Sequence, residues 1–273
     1  MKPDELLDLL HLDDDLLAVN KPTGIAVHRS HLVGADEDYL MDRLRLQVEG
    51  RLHAVHRLDR ATSGVLLVAR SKEIAAELGR QMMAREVQKT YLAVVRGWPA
   101  EEGEIDYPLS GSSLRGEAKP ALTRWRRLAT IEVPIAQGRY PQQRYALLEV
   151  SPETGRYRQI RRHFHHVSHH LLGDTSHGRG DHNRLIRQYY GVHRLLLHAS
   201  RLCVVHPATQ QELVLQAPLD TAWQRLLQAF GWTGHDISGP RFLMKAAPPR
   251  VPAGAFAPTI DVQAGEEGAE SVK

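Results

Sequence analysis

Short apolar runs, each ended within a few residues by proline, glycine or a Ser/Thr turn, recur along this chain and limit what it can fold into. Leu16–Asn20 stops at Lys21-Pro22 and Gly24; Val65–Ala69 is entered through Thr62-Ser63-Gly64. Tyr91–Val95 ends before Gly97, and Arg144–Val150 runs into a turn marked by Pro152 and Gly155. Proline fixes φ and glycine relieves the steric limits of a bend, so these runs read as strands joined by turns. Leu195–Val205 and Glu212–Gln216 read as a hairpin turning at His206-Pro207. Helical spacing is confined to a few stretches. Ser71 can cap a helix reaching about Ala84, with Glu73 in its first turn and Ile74, Leu78 and Met82 four apart on one face. Gln159–His170 reads as a second helix broken by Gly173-Asp174, and Asp220 can cap a last one ending near Gly231. Many strands and few helices, not in strict alternation, predict an α+β fold with a largely antiparallel mixed sheet flanked by helices and loops.

The 273 residues are enough for one large core. From Ala246 the composition shifts to Pro, Ala, Gly and Glu without periodicity, and such a segment cannot bury enough apolar surface to offset its ordering entropy. The expected organisation is therefore a catalytic domain over 1–245 and a disordered tail over 246–273. No apolar stretch approaches the ~18 residues that cross a membrane. The N-terminus, MKPDELLDLLHLDDD, carries acids where a signal peptide has its apolar core, so a cytoplasmic protein is expected. The single cysteine, Cys203, excludes an intramolecular disulfide and a thiolate metal cluster. The net charge is only +3, yet Arg156, Arg158, Arg161 and Arg162 fall together, as do Arg124, Arg126 and Arg127. Clustered arginine suits a polyanionic partner such as nucleic acid.

The segment HRLDRATSGVLLVAR, from His56 to Arg70, carries the chemistry. Its aspartate, Asp59, stands before a Thr-Ser-Gly turn into a strand, hence at the end of a sheet, where loops on a rigid scaffold carry function. Taken alone, Asp59 would read as a turn residue pairing with Arg57 or Arg60. Its company changes that reading: NKPTGIAVH (Asn20–His28) lies upstream, and KTYLAVVRG (Lys89–Gly97) and TGRYRQIRRH (Thr154–His163) lie downstream, the last followed by Leu172-Gly173-Asp174. This ordered set resembles the motifs of the RluA-type pseudouridine synthases and covers most of residues 16 to 216.

The resemblance implies that family's catalytic fold with a central active-site cleft, and isomerisation of uridine in RNA without a cofactor. It assigns Asp59 as the nucleophile; attack at the sugar and attack at the base are both open. It places Tyr91 against the target base, with a possible share in removing the proton from its carbon, and pairs Arg161 with Asp59. The target nucleotide must flip out of its stack, at a cost of roughly a few kcal/mol. Arg57, Lys21, His28, Arg156, Arg158 and Arg162 are the expected RNA contacts. GDTSHG (Gly173–Gly178), HNR (His182–Arg184), LLLHASRL (Leu195–Leu202) and APLDTAWQRLLQAFGW (Ala217–Trp232) resemble the branch that modifies uridine 65 of tRNA. Arg158 and His177 stand where the wider family often has His and Tyr. The alternatives are a ribosomal-RNA synthase of the same family and a non-catalytic RNA-binding or RNA-folding protein. A monomer is expected. The stretch HFHHVSHH places His165 and His169 four apart, but with no H-E-x-x-H and no nearby cysteine no metal is expected.

Overall fold

The computed structural model describes residues 6–28, 38–111 and 117–233. The tail expected from 246 lies outside them. In chain order the elements are β1 (Leu9–Leu12), β2 (Leu16–Lys21), α1 (Leu40–Gln47), β3 (His53–Ala54), β4 (Ser63–Ala69), α2 (Lys72–Ala84), β5 (Gln88–Arg96) and β6 (Glu102–Asp106). They continue with β7 (Leu122–Val133), β8 (Gln143–Pro152), α3 (Gln159–His166), α4 (Gly180–Tyr190), β9 (Leu197–Val205), β10 (Glu212–Gln216) and α5 (Thr221–Ala229). The strands form one sheet in the order β1-β2-β4-β9-β5-β8-β7-β6, with β3 added to β4 and β10 to β9. Adjacent strands pair antiparallel except at β4–β9, a short parallel contact through Ser63↔His198 and Gly64↔Ala199. The α+β expectation is met.

Side chains alternate across this sheet with the period of two that a pleated strand imposes. Leu66 and Val68 of β4 join the cluster under α1, whereas Val65, Leu67 and Ala69 pack with α2. On β5, Ala93 and Val95 pack with α3, whereas Leu92 and Val94 meet α4 and α5. Helices α1 and α3 therefore cover one face, and α2, α4 and α5 the other. Tyr91 packs against both the α1 and the α3 clusters, which places it at the seam between them.

Several elements follow the local signals. Ser71 Oγ accepts the Ile74 amide at 3.2 Å at the start of α2, and Asp220 Oδ1 accepts the Trp223 amide at 3.0 Å at the start of α5. Gly64 has to be glycine, because φ is +112° and a Cβ there would stand 2.1 Å from the Ala199 carbonyl oxygen. Other expectations are corrected. Helix α3 stops at His166, and Ser168 turns the chain with φ at +61° so that Leu171 can bridge to Val95 on β5. Pro152 lies inside β8 opposite Thr123 instead of in the turn after it. The Arg124, Arg126 and Arg127 cluster is no open basic patch: the three reach Glu104 and Glu153, Glu149, and Glu101 respectively. No helix among the described residues is long and apolar enough to cross a membrane.

Candidate active site

Asp59 leaves the sheet just before β4, on a loop bound to the turn after β2. Gly24 N–H donates to the Arg60 carbonyl at 2.8 Å, and Arg60 Nε returns a bond to the Gly24 carbonyl at 2.8 Å. Thr23 Oγ1 donates to the Ala61 carbonyl at 2.8 Å. Lys21 completes the junction. Its ammonium donates to the carbonyls of Pro22, Ile25 and Arg60 at 2.7, 2.8 and 3.2 Å. Lys21 is wholly buried, which corrects its expected place at the RNA: its three protons bind the two loops together from inside. Burial pushes its pKa down to about 7, helped by Arg194 and Arg60 and opposed by Asp59. At the other end of the loop, His56 Nε2 accepts the Leu67 amide at 3.0 Å and fixes the approach to β4.

Facing Asp59 is Arg161, in the first turn of α3. Its Nη1 donates to Asp59 Oδ2 at 2.9 Å, across 102 residues of sequence. Its other two nitrogens grip Asp174, Nε to Oδ2 at 2.7 Å and Nη2 to Oδ1 at 2.8 Å. The Arg161 and Asp174 side chains are only 5% and 1% exposed, against 20% for Asp59. A planar guanidinium held bidentate on one side can direct its remaining N–H with little freedom. Burial works against the Arg161 charge, but the Asp174 and Asp59 carboxylates outweigh it and raise its pKa further. Burial likewise works against the Asp174 charge, and Arg161 with the amides of His177 and Ser176 outweighs it, holding that carboxyl low. Tyr91, at the seam, has its phenol pKa raised by burial and by the Asp59 charge, so it presents a neutral ring.

An aspartate aimed by a buried arginine beside a neutral tyrosine suits covalent attack on a base-bearing sugar or on the base itself. The sequence profile of the family described as RNA pseudouridylate synthase matches residues 15–166, a span running from β2 to the end of α3. The chain belongs to that family. It is similar to the tRNA pseudouridine synthase C of Vibrio cholerae, with 46% identity over 83% of this chain and 97% of that one. It also resembles the tRNA pseudouridine synthase C of Salmonella typhimurium, with 42% identity over 84% and 92% of the two chains. Among solved structures it superposes on human RNA pseudouridylate synthase domain containing 1 with a TM-score of 0.62, at 25% identity over 86% and 99% of the two chains.

Within this RNA pseudouridylate synthase the structure brings together three of the expected residues, Asp59, Tyr91 and Arg161. Arg57 and His28 are exposed on the loops around Asp59. Arg156 and Arg162 lie on the α3 side, donating to the backbone carbonyls of Pro120 and Ser110 at 3.1 and 2.7 Å. Arg158 sits at the N-terminus of α3 with φ at +50° and its guanidinium over the Tyr157 ring at 5.0 Å. Asp174 is the participant that residue-by-residue reading left without a role. The signal was present in Leu172-Gly173-Asp174, where Gly173 has φ at +76° and a Cβ would stand 1.8 Å from the Arg194 carbonyl oxygen.

The histidine-rich stretch divides among separate tasks. His163 bonds Thr123 Oγ1 at 2.9 Å and the Tyr107 carbonyl at 3.0 Å, while His169 Nδ1 donates to the Arg96 carbonyl at 2.9 Å. The side chains of Asp13, Asp15 and His206 converge elsewhere, but His206 Nδ1 accepts the amides of Ala208 and Thr209, which leaves Nε2–H to donate to Asp13. That arrangement fastens a turn and withholds the imidazole lone pair from a metal.

Burial is the main cause that holds His56, His163, His182 and His198 neutral, with pKa values lowered to about 4. In the unfolded chain each returns to about 6.5. The unfolded state therefore binds more protons between these values, so the stabilisation is complete above about pH 6.5 and is lost as pH falls towards 4. The melting temperature should fall most steeply between about pH 6 and pH 4.5, with the contribution of these rings levelling off as pH passes below 4. A flat profile over this window would show that these rings do not set the acid limit.

Proposed function

We propose that the chain converts a uridine of tRNA, at position 65, to pseudouridine, with Asp59 as the nucleophile. The observation that carries this reading is the Arg161–Asp59 ion pair, held from behind by Asp174. Arg161 engages Oδ2, which leaves Oδ1 of Asp59 to attack. The reaction breaks the bond between the sugar C1′ and N1, turns the base, and joins C1′ to C5; the proton on C5 is lost and N1 gains one. A carboxylate that forms a covalent intermediate divides this into two easier steps. Tyr91 stands against the flipped base, where a neutral aromatic ring supplies stacking. Once Asp59 becomes an ester its charge is gone, and one cause of the raised Tyr91 pKa goes with it. Arg57, His28, Arg156, Arg158 and Arg162 contact the RNA, giving affinity that falls with salt.

The tRNA assignment is supported by the names of the relatives, and position 65 by the GDTSHG, HNR and LLLHASRL segments. Tritium release from 5-tritiated uridine tests it, using total tRNA and ribosomal RNA with excess chelator and no added cofactor. Release from tRNA, mapped to position 65, is the expected result. Release from ribosomal RNA alone would replace the substrate, and release from neither would leave an RNA-binding protein.

A further inference from the structure

The turn that carries Asp174 is held at one carbonyl by two histidines. His165 Nδ1 and His170 Nδ1 meet the His177 carbonyl oxygen at 2.9 and 3.0 Å. A carbonyl only accepts, so both rings carry their proton on Nδ1 and together occupy both lone pairs of one oxygen. The same residue is tied on its other side, because the His177 amide donates to Asp174 Oδ1 at 3.0 Å. That oxygen also takes the Ser176 amide at 2.9 Å and Arg161 Nη2 at 2.8 Å. A series of contacts thus runs from two imidazoles through the backbone of His177 to Asp174, Arg161 and Asp59. The turn has little slack, since a Cβ on Gly178 would stand 2.2 Å from the Asp174 carbonyl oxygen. Helix geometry explains the placement of the first histidine: His165 lies four residues after Arg161, on the same face of α3 one turn on. His170 arrives from beyond the helix end, after the turn at Ser168. The three rings pack edge to face, with centroids 4.9 Å apart for His165–His170 and 6.0 Å for His165–His177.

We infer that His165 and His170 are positioning residues for isomerisation, bracing the 174–178 turn so that Asp174 aims Arg161 at Asp59. The inference rests on Asp59 being the nucleophile. The two histidines share one acceptor, and this gives the brace a signature that general stabilisation lacks. With one histidine removed, the His177 carbonyl keeps a donor; with both removed, it loses the two side-chain donors it has among the described residues.

The test is steady-state kinetics on tRNA for His165→Ala, His170→Ala, the double alanine variant, and the double variant His165→Asn/His170→Asn. The asparagine amide supplies an N–H close to the position of Nδ1. Each single alanine variant should keep kcat within roughly threefold, and the double variant should lose about tenfold or more with KM little changed. The double asparagine variant should recover most of that loss. Equal kcat in the wild-type and double alanine proteins, both folded at the assay temperature, overturns the inference. So does a loss in the double variant that asparagine does not restore. Should the double alanine variant not fold, a tenfold loss from either single change overturns the shared brace. An Asp59→Asn protein that still releases tritium at the wild-type rate rejects the nucleophile reading instead, so the two failures are separable.

Discussion

Replacing Asp59 with asparagine is expected to lower pseudouridine formation by at least about a thousandfold, because an amide of the same shape cannot supply the attacking oxygen. The tRNA affinity should stay within roughly threefold, since phosphate contacts from basic side chains generally dominate binding to nucleic acid and a carboxylate adds none of them. Asparagine also tests position. Arg161 Nη1 sits 2.9 Å from Asp59 Oδ2, and an amide oxygen can still accept that bond. The fold should therefore persist, with loss of the nucleophile separated from collapse of the site. Single-turnover tritium release alongside filter binding reads both quantities. Turnover near that of the unaltered protein would remove Asp59 from the mechanism.

The second large effect is expected at Asp174. Asp174→Ala removes both acceptors from Nε and Nη2 of Arg161 and leaves a guanidinium charge in a site only 5% exposed. Removing one partner of a buried ion pair costs up to about 3–5 kcal/mol where the charge is left uncompensated, and Asp59, still 2.9 Å from Nη1, places the cost at the lower end of that range. The variant should unfold at clearly lower denaturant. Asp174→Asn is the milder probe, keeping one acceptor oxygen and placing an amide N–H₂ against the other donor. Arg161 then loses its bidentate grip, and kcat should fall about a hundredfold, the scale of a misplacement near 1 Å at a reacting group. Urea denaturation and kinetics on the two variants separate the roles. Wild-type kcat in Asp174→Asn would mean that Arg161 is aimed by something else.

Both variants act on one relay, but its parts were not equally legible. Asp59 and Tyr91 stand inside continuous motifs, and Arg161 belongs to Gln-Ile-Arg, so a linear pattern contains them. Asp174 is named by the same pattern, yet its task depends on contacts that only folding creates, at Arg161 and at the backbone of Ser176 and His177. Lys21 shows the opposite error. A lysine beside Pro22 looks like a cation for phosphate, and three carbonyls brought from two loops turn it inward. The clustering of Arg124 and Arg126 suits a polyanion in the linear sequence, whereas the glutamates that pair with them, Glu104 and Glu149, lie on neighbouring strands and not nearby in sequence. Helix α4 went unread for a local reason: its buried stripe of His182, Leu185 and Ile186 is too short and polar to show a period.

Local chemistry determined what the sequence could determine by itself. The period of two sorted β4 and β5 onto their faces, Ser71 and Asp220 placed two helix starts, and the motif order singled out Asp59 as the proposed nucleophile. Each of these depends on dihedral limits, side-chain direction or hydrogen bonds within a few residues. The tertiary structure alone decided which charges are free and which are paired, and where the relay ends. Arg161 and Asp59 are 102 residues apart, and they meet only because α3 lies over the same face of the sheet that Asp59 approaches. Burial and ion pairing belong to the assembled sheet, because solvent access and the distance between distant charges have no local signature in the chain.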